Sequence, residues 1–410
     1  MNYKKYIDIF ILNYLLLATY CIIFITLKIE ITDKQLFSTV DSVTYWLTGH
    51  EFYHLSLKGY SEIRPFLYPL IIVIIHNIFG SYGLWIMQFL FWIVSINLVF
   101  LSIKKITNSK ILAFAGGIII ASNITYIVLT FHALTETTTI FLISVLICFI
   151  SFNFTKVNTL NFFHRCLLIL VLLAVVKPLF YLPLLFMLCI ILPVFYFKKY
   201  IKKPKKIGWL ILVITPIVFQ IAIVKIKYNT FSFSKISSNT FRWYFLAQGM
   251  QQNENISWET ARARTMVFST SEELSYIFKN KALYFDLYTH DMKENIKAVP
   301  CFMLFPKKIP HPEVANYMII VNGIYYYTHI VFGVLILICL YLIYRKRDTN
   351  RLVLIVFPVA LTYYIFITIP ISLWEGDRLV LPSLPLWVFL YSLVINYIVK
   401  ELRIQNGRVT

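Results

Sequence analysis

Residues 84–103 read LWIMQFLFWIVSINLVFLSI, twenty residues without a charge, and Lys104 and Lys105 follow directly. Because the hydrocarbon layer of a bilayer is about 30 Å thick, a helix needs about twenty apolar residues to cross it. The stretch therefore predicts a membrane-spanning helix. The lysine pair predicts that its end faces the cytoplasm, because basic residues collect in short cytoplasmic connections.

The composition extends this prediction to the whole chain. Of 410 residues, 59% are hydrophobic and 14% are charged, which is too little charge for a water-soluble surface. The net charge of +19 lies in short clusters between apolar runs, so we expect membrane lipids and no nucleic acid as partners. The six cysteines show no CxxC or His/Cys spacing, so neither disulfides nor a metal site is predicted, and no cofactor is indicated.

Ten apolar runs predict an all-α polytopic protein with about ten transmembrane helices. Besides 84–103, they are 6–27, 111–130, 134–154, 162–176, 179–197, 207–225, 318–344, 352–369 and 379–399. The run 65–79 is shorter, and counting it as a span would place Lys104 and Lys105 outside. We therefore interpret it as a juxtamembrane or partly re-entrant helix in the first outer loop.

Basic clusters occupy every second connection between these runs, beginning at the N-terminus. They are Lys4/Lys5, Lys104/Lys105/Lys110, Lys156/Arg165, Lys198 to Lys206, Arg345/Lys346/Arg347/Arg351 and Lys400/Arg403. Both termini are therefore predicted to be cytoplasmic. The predicted organisation is a transmembrane module at 1–225 with an outer loop at 28–83, a small helical outer-face subdomain at 226–317, and further transmembrane helices at 318–410.

Ionisable residues are absent from the centres of the predicted spans and collect at the predicted outer rim. They are Asp33, Asp41, Glu51, Glu62, Arg64, His132, Glu136, Lys177, Lys225, Glu375, Asp377 and Arg378. Charged groups near a membrane are costly and tend to mark function. A coupled transporter would carry a carboxylate or a broken helix near the midplane. The pattern therefore favours a pocket on the outer face at the lipid boundary.

Several motifs of the predicted outer rim resemble those of the C-type membrane glycosyltransferases, in the branch of the protein mannosyltransferases and aminoarabinose transferases. The motifs are Asp41-xxx-Tyr45 followed by Gly49, Arg64-Pro65-Phe66-Leu67-Tyr68-Pro69, Phe79-Gly80, Leu134-Thr135-Glu136, Lys177-Pro178 and Asp377-Arg378-Leu379-Val380-Leu381-Pro382. The resemblance covers most of the chain except 226–317, and the order of the motifs carries it. The chain departs from the family in one respect, because no second acid stands beside Asp41.

The resemblance implies an inverting transfer of a sugar from a polyprenyl-phosphate donor to a glycan, lipid or protein acceptor on the outer face. An enzyme with such a donor needs a lipid groove, cations for the phosphate and a carboxylate near the anomeric carbon. Asp41 is the predicted general base, and the predicted substrate-binding residues are Tyr45, Arg64, His132, Glu136, Lys177 and Arg378. The abundance of Ile, Lys and Asn favours a bacterial cell membrane.

Other interpretations of the same residues remain open at this stage. Asp41 is also a residue type that caps helices, and His132 and Glu136 are also typical of a solvated turn before a helix. Lys177 is also typical of a span end whose amine reaches the interface, and Arg378 of an exposed ion pair. For the whole chain, the alternatives are a carrier or flippase for a lipid-linked glycan, or a catalytically inactive membrane scaffold.

Overall fold

The computed structural model describes residues 7–61, 63–296, 301, 304–305, 312–321, 323–324, 327 and 378–407. Within these ranges every regular element is a helix, and six helices are long and apolar enough to cross a bilayer. They are Ile7–Leu27, Leu67–Thr107, Thr135–Lys156, Pro178–Lys202, Lys205–Tyr228 and Leu381–Lys400. The predicted all-α membrane class is confirmed to this extent. The predicted span 352–369, most of 318–344, and the residues Glu62, Glu375 and Asp377 lie outside the described residues.

The helices are numbered in chain order. The first group is α1 (Ile7–Leu27), α2 (Asp33–Leu36), α3 (Val40–Tyr53), α4 (Leu67–Thr107), α5 (Lys110–Ala121), α6 (Ile124–Leu129), α7 (Thr135–Asn153) and α8 (Leu160–Val176). The second is α9 (Tyr181–Phe186), a π-helix (Met187–Tyr196), α10 (Phe197–Lys202), α11 (Lys205–Tyr228), α12 (Ile236–Thr240), a π-helix (Phe241–Leu246), α13 (Ala247–Glu254), α14 (Trp258–Met266), α15 (Thr270–Lys279), α16 (Lys281–Ile296) and α17 (Leu384–Gly407).

Local side chains fix where many of these helices begin. The hydroxyl of Thr39 accepts a hydrogen bond from the backbone N–H of Ser42, whose own hydroxyl returns one to Thr39, and this capping box starts α3. The side chains of Ser109, Asn123 and Thr159 cap α5, α6 and α8 in the same way. Helix starts in this chain are therefore encoded by short polar residues ahead of apolar runs.

Helix α4 is the central element of the apolar body. Its residues Trp92, Ile96, Val99 and Phe100 are fully buried, and Phe91 stacks on Phe141 of α7 with ring centroids 4.5 Å apart. In the most apolar 18 residues of each span, half of the residues are buried in the span of α7 and nearly three quarters in that of α17. In α1 the buried share is about a sixth. Helices α4, α7 and α17 thus form the interior, and α1 lies at the periphery with most of its surface available to lipid.

Gly80 divides α4 into two helical parts. Its backbone lies at φ 65° and ψ −162°, a conformation that only glycine adopts without strain. The short run predicted at 65–79 is therefore a separate helical piece that meets the span at Gly80. Asp33 joins both parts, because it accepts hydrogen bonds from His76 Nε2 at 2.8 Å and from the Ser81 hydroxyl.

The run predicted as one span at 111–130 is two helices in the structure. Helix α5 ends at Ala121, and Asn123 starts α6 by accepting a hydrogen bond from the Tyr126 N–H at 2.9 Å. Asparagine favours such caps over the helix interior, because its side chain competes for backbone hydrogen bonds. The break directs the buried α6 towards His132 and the start of α7.

Residues 236–296 have small apolar clusters of their own. One contains Phe245, Leu246, Tyr284 and Leu287, and the other contains Ala247, Met250 and Ala261. Helices α12 to α16 lie in this segment, which falls within the helical subdomain predicted at 226–317.

We expect Gly80→Ala to destabilise the protein by about 1–3 kcal/mol, because alanine is strained at this positive φ. The measurement is thermal unfolding of the purified protein in detergent. Gly208→Ala is the matched control, because Gly208 lies in α11 at an ordinary φ with open space around it. Alanine should be neutral or stabilising there. Equal melting temperatures for the Gly80 variant and the wild type would contradict the strain.

Candidate functional site

The site is built around Asp41 in the first turn of α3. Thr39 is the N-cap of this helix, so the alternative interpretation of Asp41 as the cap is wrong. Its carboxylate instead faces two arginines, Arg64 before α4 and Arg378 before α17. Gly49 allows this placement, because a Cβ there would collide with the backbone carbonyl of Pro69 where α3 crosses α4.

Arg64 is held by three residues on one face of α3, at positions 41, 44 and 45. Its Nε donates to the Thr44 hydroxyl at 3.1 Å, its Nη1 to the Tyr45 hydroxyl at 3.0 Å, and its Nη2 to Asp41 Oδ1. The guanidinium also lies over the Tyr45 ring, 4.3 Å from its centroid. Arg64 therefore fastens the loop before α4 to α3 and orients Asp41.

Arg378 connects Asp41 to a second carboxylate. Its Nη2 donates to Asp41 Oδ2 at 2.6 Å and its Nε to Glu136 Oε1 at 3.0 Å. Lys177 Nζ donates to the same Glu136 oxygen at 3.3 Å. Five side chains from distant parts of the chain thus form one network, called the ion cluster below: Asp41, Arg64, Glu136, Lys177 and Arg378.

Burial differs among the members of the ion cluster. Asp41 exposes 29% of its side chain, whereas Arg64 exposes 6%, Arg378 10%, Lys177 18% and Glu136 4%. The alternatives of an exposed Arg378 ion pair and of a solvated turn at His132 and Glu136 do not fit this burial. The Lys177 amine, which the other alternative places at the interface, is bonded to Glu136. The accessible group of the cluster is the carboxylate of Asp41.

The two arginines set the charge state of Asp41. Burial raises the pKa of this carboxyl, but the guanidiniums of Arg64 and Arg378 outweigh it and hold the pKa at about 2. Among the described residues, the ion cluster has three cations and two carboxylates. It therefore has an excess of one positive charge and favours the approach of an anion.

One polar atom of the ion cluster and one of a neighbouring tyrosine have no hydrogen-bond partner among the described residues. They are Glu136 Oε2 and the hydroxyl of Tyr68, both of them buried. Tyr68 packs edge-on against Tyr45 with ring centroids 5.2 Å apart and lies within electrostatic range of Glu136. A buried acceptor and a buried hydroxyl without partners are suited to a ligand that brings its own hydroxyl groups.

His132 lies beside the ion cluster without joining it. Its Nε2 lies 2.7 Å from the Leu304 carbonyl and its Nδ1 lies 3.2 Å from the Ser38 hydroxyl. Burial lowers the pKa of His132 to about 4, although the bond to the Leu304 carbonyl favours the charged ring. The ring therefore ties the turn before α7 to neighbouring segments, and its role in substrate binding stays a prediction.

Six of the seven predicted site residues thus share one network, since Tyr45 receives the bond from Arg64. Thr44 and Tyr68 belong to the site but were not predicted from the sequence. Tyr68 stands inside the Arg64–Pro69 motif, so the sequence did contain a pattern that marks it. No sequence pattern marks Thr44, because a single threonine on a helix is common.

Glu136→Gln should destabilise the protein by about 3 kcal/mol, because it leaves Lys177 and part of Arg378 without their buried counter-charge. Asp33→Asn is the matched control, since Asp33 pairs with His76 but exposes 60% of its side chain. An exposed pair contributes within about 1 kcal/mol. Thermal unfolding in detergent measures the stability of both variants. An equal loss of stability in the two variants would contradict the difference in burial.

The neutral His132 should make stability depend on pH. A histidine whose pKa is lowered from 6.5 to about 4 by folding contributes fully above pH 6.5, and this contribution is lost as the pH falls towards 4. The loss amounts to about 3 kcal/mol. Melting temperatures of the wild type and His132→Gln between pH 7 and 4 measure it. The Asp41 carboxyl is present in both proteins and contributes equally to both profiles. If the melting temperatures of the two proteins change with pH in parallel, the His132 ring is not buried in its neutral form.

Comparison with known proteins leaves the family of this chain open. No family model, no curated protein and no solved structure matches it. The resemblance to C-type glycosyltransferases therefore stays a prediction from the motifs. The function has to be argued from the geometry of the ion cluster and its surroundings.

Proposed function

We propose that the chain is a glycosyltransferase that moves a sugar from a polyprenyl-phosphate donor to an acceptor at the outer face of the membrane. The observation that carries the proposal is the ion cluster itself. It combines a cation excess among the described residues with a single accessible carboxylate, Asp41. A phosphate leaving group needs the cations, and an acceptor hydroxyl needs the carboxylate as its base.

The surroundings of Asp41 suit a lipid-linked substrate. The neighbouring face of α3 exposes three apolar side chains, Val40 by 82%, Val43 by 41% and Leu47 by 55%. A mainly apolar cleft also lies at the end of α1. Its lining residues are Ile22, Ile23, Thr26, Leu27, Ile124, Glu313, Val314 and Tyr317. A polyprenyl chain would find apolar surface on this side, with its phosphate at the ion cluster.

The unpartnered Tyr68 hydroxyl and Glu136 Oε2 would bind hydroxyl groups of the sugar. In the step that we propose, Asp41 takes the proton of the acceptor hydroxyl while that oxygen bonds to the anomeric carbon. The bond between the anomeric carbon and the phosphate oxygen breaks, and its electron pair leaves with the phosphate. Attack opposite to the leaving group inverts the anomeric centre.

The proposed topology has about ten spans, both termini in the cytoplasm and the ion cluster on the outer face, in a bacterial cell membrane. Its support is the alternation of basic clusters along the sequence. In the described spans, charged side chains also lie near the ends. Asp8 at the start of α1 pairs with Lys104 at 2.6 Å and with Lys110 at 3.0 Å, near the end of α4 and the start of α5.

A carrier for a lipid-linked glycan is the second candidate. The observation in its favour is the break between α5 and α6 at Asn123, because discontinuous helices form the substrate sites of many carriers. Asn123 nevertheless caps α6 locally, and no charged side chain joins it in the contacts of the described residues. The transferase therefore accounts for more of the observed site.

The test uses the protein reconstituted in liposomes with a panel of synthetic polyprenyl-phosphate sugars. Wild-type protein should transfer sugar, and Asp41→Asn should lose at least about a hundredfold of this activity, the contribution of a general base. Asp33→Asn removes a carboxylate from the same loop outside the ion cluster and should retain activity.

Transfer that survives in Asp41→Asn would place the base elsewhere. If no protein of the series transfers sugar, a second assay follows a labelled glycan lipid in the same liposomes. Its movement between the two leaflets would favour the carrier. If neither occurs, the scaffold interpretation gains support.

A further inference from the structure

The two arginines of the ion cluster have different kinds of partner among the described residues. All three Arg64 hydrogen bonds go to residues on one face of α3, and the guanidinium carbon lies 4.3 Å from the centroid of the Tyr45 ring. Turning Arg64 away would break three hydrogen bonds and a cation–π contact at once, in a site where water replaces them poorly. Arg64 is therefore a fixed part of the site.

Arg378 is shared between two carboxylates, and each of them has another cation. Asp41 Oδ1 remains bonded to Arg64 if Arg378 moves, and Glu136 Oε1 remains bonded to Lys177. Withdrawing Arg378 from Asp41 therefore leaves neither carboxylate unpaired. Of the two Arg378 contacts with carboxylates, the one with Asp41 Oδ2 involves the more exposed carboxylate.

We propose that the donor phosphate and Asp41 compete for the guanidinium of Arg378, so that binding of the donor releases Asp41 from its second arginine and makes it a base. This inference rests on the proposed function. Its ligand class is a prenyl phosphate, whose oxygens suit the planar donor face of an arginine. Arg64 then has a positioning role and keeps Asp41 Oδ1 oriented while Arg378 changes partner.

The competition resolves a chemical difficulty of the site. With both arginines in place, the pKa of Asp41 is about 2, so the carboxylate is a poor proton acceptor at neutral pH. Loss of one guanidinium raises that pKa, because a nearby opposite charge is removed. The base would thus become effective only when a donor is bound, and proton transfer would be coupled to occupancy of the site.

A binding experiment tests the competition without requiring sugar transfer. The probes are farnesyl phosphate and, as the uncharged reference, farnesol, titrated against the full-length protein in detergent by calorimetry. Removing the competing carboxylate with Asp41→Asn should tighten farnesyl phosphate binding by about tenfold and leave farnesol unchanged. Arg378→Gln should weaken farnesyl phosphate binding. In the double variant, Asp41→Asn should bring no gain, because the released guanidinium is missing.

Asp33→Asn controls for the general effect of removing a negative charge and should leave farnesyl phosphate affinity unchanged. Asp41→Ser removes the same carboxylate and replaces Asp41→Asn if that variant does not elute as folded protein. Unchanged or weaker binding after loss of the Asp41 carboxylate would overturn the competition, whatever the transfer assay shows. Tighter binding that depends on Arg378, together with no sugar transfer by wild-type protein, would retain the competition and reject the transferase.

Discussion

The arrangement of the site depends on the carboxylate of Asp41, which two arginines share. It joins the first loop, through Arg64, to the segment before the last helix, through Arg378. Glu136 and Lys177 extend the same network to the start of α7 and the end of α8. In an apolar body that offers little solvation, each of these charges is tolerable only because the others are present.

This mutual dependence explains why the surrounding helices are shaped as they are. The capping box of Thr39 and Ser42 sets the first turn of α3, which presents Asp41, Thr44 and Tyr45 to one arginine. Gly49 lets α3 lie against α4, and Gly80 lets α4 change direction before it enters the apolar core. Gly49 therefore serves the geometry of the site as well as the packing of the helices.

The network also shows how one set of contacts can serve both stability and chemistry. A carboxylate between two guanidiniums is stable and well oriented, but its low pKa makes it a weak base. If a phosphate takes one guanidinium, the orientation remains while the basicity rises. The same ion pairs would then hold the resting site together and be partly exchanged for contacts with the substrate.

The sequence by itself determined the all-helical membrane class, most helix positions and the residue types of the site, because apolar runs and basic clusters are local signals. Helix starts such as that of α3 were encoded nearby in the same way. The break at Asn123 lies within an apolar run that hides it, whereas the kink at Gly80 falls in the gap between the predicted runs 65–79 and 84–103. Only the tertiary structure decided that Asp41 meets Arg378, 337 residues away, because helix packing sets that contact and neither local pattern specifies it. It also decided which rim charges are buried together and which, like Asp33, remain exposed.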